Sequence, residues 1–179
     1  SVRMSDKAME ERDDILDHIA TNNYDWAEPG ILYWDTITQY NLLDKFNDFE
    51  YAGVNPCAEE PLPAGGSCLL GALNLAAFVE DPFGKMPAFN LPEFKRAVRI
   101  AVRALNDVLD EGLPLHPLPE QRETVKDWRQ IGLGIMGFGD MLLMLGYNYD
   151  TENALRMIKI IGETLVQTGL DESCKLAQE

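Results

Sequence analysis

Cationic residues are scarce: the 179-residue chain has 15 Lys and Arg against 30 Asp and Glu, a formal net charge of −15. A surface that anionic repels a phosphate backbone, which argues against a nucleic-acid polymer as partner while leaving room for a local pocket that holds a small anion. Cysteine is also scarce. Three thiols in a chain of this length are too few, and odd in number, for a disulfide scaffold, which favours a reducing, cytoplasmic compartment. The two histidines, His18 and His116, are remote from each other in sequence. Long apolar runs are missing: the longest, Leu69 to Val79, is broken by Asn74 and falls far short of the ~20 residues that span a bilayer. No membrane partner is expected. The opening Ser-Val-Arg-Met-Ser-Asp-Lys has no apolar stretch of the kind a secretory signal needs.

What is present is a globular composition, 46% hydrophobic and 25% charged, with enough apolar material for a core. Ser1 to Met4 reads as the end of a strand, and the charge run Glu10 to Asp14 as solvated. Ile15, Leu16 and Ile19 predict a helix ending near Asn22-Asn23, and Ile31 to Tyr40 a short helix whose aromatics pack in the core. Phe49 to Val54 reads as a strand, and Pro56 to Gly66, with three prolines and two glycines, as a shaped loop. Leu69 to Val79 is expected to be a buried strand. Asn90 and Glu93 mark a capping box, after which Phe94, Ala97, Val98, Ala101, Leu105 and Val108 follow helical spacing up to a stop at Gly112. Lys95, Arg96, Arg99 and Arg103 lie mostly off that stripe and read as a solvated face paired with acids. A short helix over Pro119 to Trp128, a strand over Ile131 to Ile135, an apolar helix over Met136 to Leu145 and a last helix capped by Thr151 complete a helix-rich α/β order.

Gly132-Leu133-Gly134-Ile135-Met136-Gly137 satisfies the dinucleotide pattern G-x-G-x-x-G, but the pattern requires a preceding strand and an acid at the end of a second strand about 20 residues on. Asp127 to Gln130 and the helix start near Glu152 supply neither. Close backbone packing at a strand-to-helix turn is the expected use of these glycines.

The sharper signal is Asn55-Pro56-Cys57-Ala58-Glu59, with Cys68 eleven residues after Cys57. In an extended segment, alternate residues point the same way, so Asn55, Cys57 and Glu59 would present an amide, a thiol and a carboxylate on one face, roughly 7 Å apart in succession. A hydrolytic cysteine needs a base, normally histidine, and neither His18 nor His116 carries a supporting pattern. A zinc site needs four ligands at recognisable spacing, which two cysteines with ten residues between them do not provide. Structural thiols in a Pro/Gly loop and redox or radical thiols both remain open on pattern alone.

The segment Asn55 to Gly71, reading NPCAEEPLPAGGSCLLG, resembles the active-site finger loop of the catalytic subunit of ribonucleotide reductases. The similarity continues through Ala72 to Leu75, at Val108-Leu109-Asp110-Glu111-Gly112-Leu113-Pro114-Leu115-His116-Pro117 and at Asp127 to Gly134, and extends to Ser1 to Asp6 and Glu28 to Asp35. The resemblance implies that Cys57 becomes a transient thiyl radical that abstracts the ribose 3′ hydrogen, that Glu59 takes the 3′-hydroxyl proton and that Asn55 orients substrate and carboxylate. Cys68 is implied as half of the dithiol that reduces the 2′ carbon and is reset by exchange, so a thioredoxin- or glutaredoxin-type reductant is expected. Cys174 matches no motif and reads as inert. The glycyl-radical branch of the family lacks the equivalent of Glu59, and the wording is most similar to adenosylcobalamin-dependent members, with a di-metal radical subunit as the alternative generator. No cofactor is expected on this chain itself.

The family's catalytic subunits are several times longer, with the second dithiol cysteine, the substrate-phosphate loop and the radical relay outside the part matched here. Between Met9 and Ala20 relatives carry tens more residues, so the chain looks like a fragment or an internally shortened form. The resemblance implies a partial segment, residues 1–179, of the family's ten-stranded α/β barrel, with the finger loop at about residues 55–68. Unpaired strand edges in such a segment invite self-association. The alternative is a catalytically incomplete remnant that serves as a binding or assembly module.

Overall fold

The structure, a computed structural model, describes residues 2–7, 13–43, 45–46, 49–67 and 69–179. The chain divides into two units, Ser1–Gly66 and Ser67–Glu179. No helix among the described residues is long and apolar enough to cross a membrane.

In the first unit, β1 (Val2–Met4) pairs in parallel with β2 (Ile31–Tyr33), Val2 opposite Ile31 and Met4 opposite Tyr33, with α1 (Asp13–Trp26) between them in sequence. Residues 10–12 of the charge run lie outside the described residues. α1 runs past the predicted end at Asn22-Asn23 because the stop comes later: Ala27 takes a left-handed φ of 57° and donates its N–H to the Asn23 carbonyl at 2.8 Å, the geometry that ends helices. The single helix expected over Ile31 to Tyr40 is two elements, β2 and then α2 (Trp34–Gln39). Ile31 and Leu32 suit pairing with β1, and the aromatics are not core: Tyr33 and Tyr40 are exposed, whereas Leu32 is buried, as are Met4, Ile19, Phe49 and Leu62. β3 (Gly53–Val54) is shorter than the strand expected from Phe49, and it pairs antiparallel with β4 (Pro61–Leu62) inside the segment expected to be loop.

The second unit follows as β5 (Leu70–Asn74), a 3-10 turn (Leu75–Phe78), β6 (Val79–Glu80), β7 (Ala88–Phe89), α3 (Leu91–Gly112), a second 3-10 turn (Leu113–Leu115), α4 (Pro119–Trp128), β8 (Gly132–Met136), α5 (Phe138–Leu145) and α6 (Glu152–Leu176). The one buried strand expected over Leu69 to Val79 is broken by Asn74, whose Oδ1 accepts the Ala76 N–H at 3.1 Å and turns the chain. β5 is also half-exposed rather than buried, and it pairs in parallel with β8, Leu70 opposite Gly132 and Asn74 opposite Met136.

α3 starts where expected, with Asn90 Oδ1 accepting the Glu93 N–H at 2.9 Å. The reciprocal half of the capping box is absent: Asn90 donates its N–H to the Phe78 carbonyl, and the Glu93 carboxylate pairs with Arg96 instead. The buried stripe is Phe94, Val98, Val102, Leu105 and Leu109, while Val108 is 54% exposed. Gly112 does not stop the helix in a left-handed turn; its φ is −76°, and the chain passes into the 3-10 turn that contains Pro114. Phe78, Phe89 and Phe94 meet edge to face at 5.3–6.0 Å, and Leu75, Phe94, Val98, Met141, Leu142, Leu145, Ala154 and Ile161 form the core.

The glycine-rich motif works as packing. Gly132 and Gly134 lie within β8 itself, and Gly137, at φ 69°, makes the turn into α5; a Cβ there would come within 2.1 Å of Asn74 Oδ1. The fold is therefore a helix-rich mixture of α and β. Its eight described strands form four two-stranded sheets, and no closed barrel exists among the described residues.

α3 and α6 are joined by charges that the expected solvated face did not include. Glu172, 4% exposed, receives Arg103 at 2.5 Å, Lys175 at 3.3 Å and Arg99 at 4.0 Å, and Arg103 also grips the Glu179 carboxylate at 2.7 and 2.9 Å. The hydrogen bond from Arg103 holds the Glu172 and Glu179 carboxyls below the usual range, against the opposing effect of burial. A carboxylate with a lowered folded pKa stabilises above its unfolded value of about 4.3 and loses that contribution as pH falls through the folded value. Arg103→Met is expected to be less stable than wild type at pH 7, with the gap narrowing toward pH 3. Urea unfolding at the two pH values checks this, and an equal gap at both contradicts it.

Candidate active site

The hairpin of β3 and β4 carries the thiol and the carboxylate. Its ladder continues beyond the strands: Ala52 donates to the Leu62 carbonyl at 2.9 Å, and Asn55 donates to the Glu60 carbonyl at 3.1 Å. Residues 56–59 form the tip. There the Ala58 N–H reaches the Asn55 carbonyl at 3.0 Å, which makes Asn55 to Ala58 a β-turn with Pro56 in its second position, where a fixed φ fits. Ala58 leaves the turn in a left-handed conformation, φ 68°.

The expected extended segment with alternating faces is therefore replaced by a closed turn. Asn55 is 6% exposed, and its Oδ1 accepts the Glu60 N–H at 3.0 Å. A buried amide oxygen that finds a donor avoids a desolvation penalty, and here it ties one side of the hairpin to the other. Cys57 and Glu59 are exposed on the tip. Asn55, Cys57 and Glu59 are thus gathered on one turn, but with the amide inside and the other two groups outside. The signal that pointed to this was the Asn-Pro dipeptide, which favours turn initiation.

The base of the hairpin is braced by residues that the sequence reading left unassigned. Phe49, buried, meets Tyr51 edge to face at 5.2 Å, and burial pushes the Tyr51 hydroxyl pKa up. Arg3 Nη1 donates to the Ala52 carbonyl at 3.3 Å, and its guanidinium stacks 4.8 Å above the Trp34 ring. No local pattern announces Arg3, because the bond spans 49 positions.

Cys68 lies outside the described residues. Cys174 is a free, exposed thiol on α6, and Cys57 is likewise free. His18 Nδ1 sits 2.8 Å from the Asp14 carbonyl on its own helix, and His116 belongs to the second unit. Among the described residues no group of three or more His, Cys, Asp or Glu is placed to hold a metal ion.

Residues 3–179 match the family described as ribonucleotide reductase, barrel domain. The chain is 34% identical over 166 residues to a vitamin B12-dependent ribonucleoside-diphosphate reductase of Mycobacterium tuberculosis, covering 93% of this chain and 23% of that protein. It is 36% identical over 165 residues to the protein of the same name from Thermoplasma acidophilum, covering 92% and 20%. A ribonucleoside-diphosphate reductase large subunit of Monkeypox virus is 35% identical over 173 residues, covering 90% and 20%. The chain spans about a fifth of the length of these curated relatives.

Removing the Asn55 amide tests how the tip is held. Asn55→Ala leaves the Glu60 N–H without its side-chain acceptor in a half-buried place, a loss of about 1–3 kcal/mol. Amide exchange at Ala58 and Glu60 is expected to quicken about tenfold or more while α3 and β8 keep their protection. Unchanged exchange at the tip contradicts this role for the amide.

Proposed function

The chain belongs to the ribonucleotide reductase barrel-domain family, and on that premise we propose that it is a segment of a catalytic subunit that reduces ribonucleotides to deoxyribonucleotides through a thiyl radical. The Asn55–Glu60 turn carries this reading: a buried amide closes it and leaves a thiol and a carboxylate exposed two residues apart. Residues 1–179 are then a partial barrel domain with its finger loop at about residues 55–68. Strands that pair only two by two, with open outer edges among the described residues, fit part of a barrel rather than a closed one.

The roles follow the chemistry of each group. The Cys57 thiyl takes the 3′ hydrogen atom: the C–H bond breaks, an S–H bond forms and the radical moves to the sugar. The similar strengths of the two bonds keep that transfer reversible. Glu59, as carboxylate, takes the 3′-hydroxyl proton, and the 2′-hydroxyl, protonated by a thiol of the reducing dithiol, leaves as water. Two electrons come from a dithiol that includes Cys68, which ends as a disulfide and is reset by thiol exchange with a thioredoxin- or glutaredoxin-type protein. Asn55 holds the turn and so the spacing of Cys57 and Glu59.

Two of the relatives described above are named for vitamin B12 dependence, so adenosylcobalamin is the radical source proposed for the parent, with a di-metal radical subunit as the alternative. A free thiol on an exposed residue fits hydrogen-atom transfer to a radical generated outside this segment. When bound, the cofactor supplies that radical; this chain's own contribution is to hold Cys57 in reach and to place Glu59 beside it. The cytoplasm, a ribonucleotide substrate and self-association complete the proposal.

Cys57→Ser in a full-length parent is expected to abolish reduction with the fold intact, because a serine O–H bond is too strong to be cleaved by the same driving force. Deoxynucleotide formed above trace level by that variant refutes the thiyl assignment. The 179-residue chain alone is expected to give no deoxynucleotide when supplied with ribonucleoside di- and triphosphates, adenosylcobalamin and dithiothreitol. Catalysis requires the second dithiol cysteine, the substrate-phosphate site and the radical path to be held together. Sustained product would show that the described residues contain more of the site than this reading allows.

A further inference from the structure

We propose that Arg3 is a positioning residue for hydrogen-atom transfer at Cys57: it fixes where the hairpin of β3 and β4 stands, and so where the thiol at its tip reaches. The proposal rests on the thiyl reading given above and adds to it a residue remote from Cys57 in sequence. Arg3 is itself held on both sides. The Val2 N–H donates to the Gly30 carbonyl at 2.8 Å, and the Asp6 N–H donates to Asp35 Oδ2 at 2.8 Å. Between these two bonds Arg3 stands opposite Leu32 in the parallel ladder. Its side chain is exposed, and a long cationic side chain in solvent ordinarily samples many rotamers. Here the half-buried Trp34 ring lies 4.8 Å from the centre of the guanidinium, and the attraction of a cation for an indole face restricts that freedom. A guanidinium stacked on a ring keeps its edge available for donation, and Nη1 meets the Ala52 carbonyl at 3.3 Å. β1 and α2 thus act through one side chain on the backbone of the hairpin.

Ala52 is the place where a hold on the base is felt at the tip. Its N–H donates to the Leu62 carbonyl at 2.9 Å, and the ladder runs on through Gly53 and Val54 to the Asn55 N–H and the Glu60 carbonyl. Strands of two residues have little stiffness of their own, so a hairpin released at its base is free to rock. The turn from Asn55 to Ala58 is closed by its own bonds and survives such rocking. Cys57 and Glu59 then keep their spacing to each other and lose their place relative to the substrate. Hydrogen-atom transfer does not tolerate that loss, because the reacting atoms must come close to contact and a displacement of about 1 Å can cost about 100-fold. Arg3 acts on the hairpin and not on substrate affinity, so its effect belongs in kcat rather than KM.

Steady-state kinetics of the full-length parent, with ribonucleotide carrying hydrogen or deuterium at the 3′ carbon, test this role. Arg3→Met keeps an apolar stem over Trp34 and removes the donor. It is expected to lower kcat at least about tenfold, to leave KM within about twofold and to enlarge the deuterium effect on kcat, because the transfer becomes the slow step. Arg3→Lys, which keeps a cation and a donor, is expected to recover part of that loss. Trp34→Leu is expected to lower kcat about two- to fivefold, and the double variant Arg3→Met/Trp34→Leu to fall no further than Arg3→Met alone. A residue needed only for folding would reduce the amount of active enzyme and leave the isotope effect at its wild-type value. That result, or a normal kcat in Arg3→Met, overturns the proposal. Arg3→Met behaving as wild type beside an inactive Cys57→Ser sinks the role of Arg3 alone, whereas turnover by Cys57→Ser sinks the thiyl reading and this proposal with it.

Discussion

The parallel pairing of β5 with β8 is the constraint on which the second unit depends. Two parallel strands cannot be joined by a tight turn, so the chain between them must cross over, and here the crossover contains α3. The pairing runs from Leu70 opposite Gly132 to Asn74 opposite Met136. At the end of that ladder Asn74 turns the first strand into its 3-10 turn, and Gly137 turns the second into α5, with no room for a Cβ between them. The two turns deliver Leu75 and Met141 to the same core, where Phe94 and Ile161 bring in α3 and α6. The parallel ladder and the apolar cluster therefore specify one arrangement from two directions.

In the first unit the same logic operates at smaller scale. Two strands of two residues each are marginal by themselves, and the hairpin gains definition from the groups around it. Asn55 closes the tip from within, Phe49 and Tyr51 pack at its base, and Arg3 holds the Ala52 carbonyl while stacking on Trp34. That arrangement leaves Cys57 accessible, while the residue two places before it is buried and fixed. Among the described residues the strands of both units pair only two by two and keep open outer edges, and α6 leaves Leu155, Val166 and Leu170 exposed.

Local chemistry made several elements legible in the sequence. The Asn90 cap, the helical spacing after Phe94, the short helix beginning at Pro119 and the Thr151 cap each depend on interactions within one or two turns, and the structure places each where the residues indicated. The family was legible as well, because the finger-loop wording from Asn55 to Gly71 is specific, and the match over residues 3–179 agrees with it. The G-x-G-x-x-G pattern was correctly set aside, since its context pointed to packing. The elements misjudged are those where a distant partner overrides local preference. Ile31 to Tyr40 follows a helical pattern only until β1 pairs with its first three residues. The capping box at Glu93 lost its second half to Arg96 and to the Phe78 carbonyl.

The sequence by itself determined the residue types at the candidate site, their spacing and the family they indicate, because these are covalent facts that no packing alters. Tertiary structure alone decided which of them faces solvent. Asn55 is buried and Cys57 exposed because the turn closes back through the Asn55 amide to Glu60, where an extended segment would have turned both the same way. Likewise, Arg103 sits on α3 among residues that read as a solvated face, yet it pairs with a buried carboxylate 69 positions away. A side chain's surroundings depend on what the fold brings against it, and contacts across such distances in sequence leave no local pattern to read.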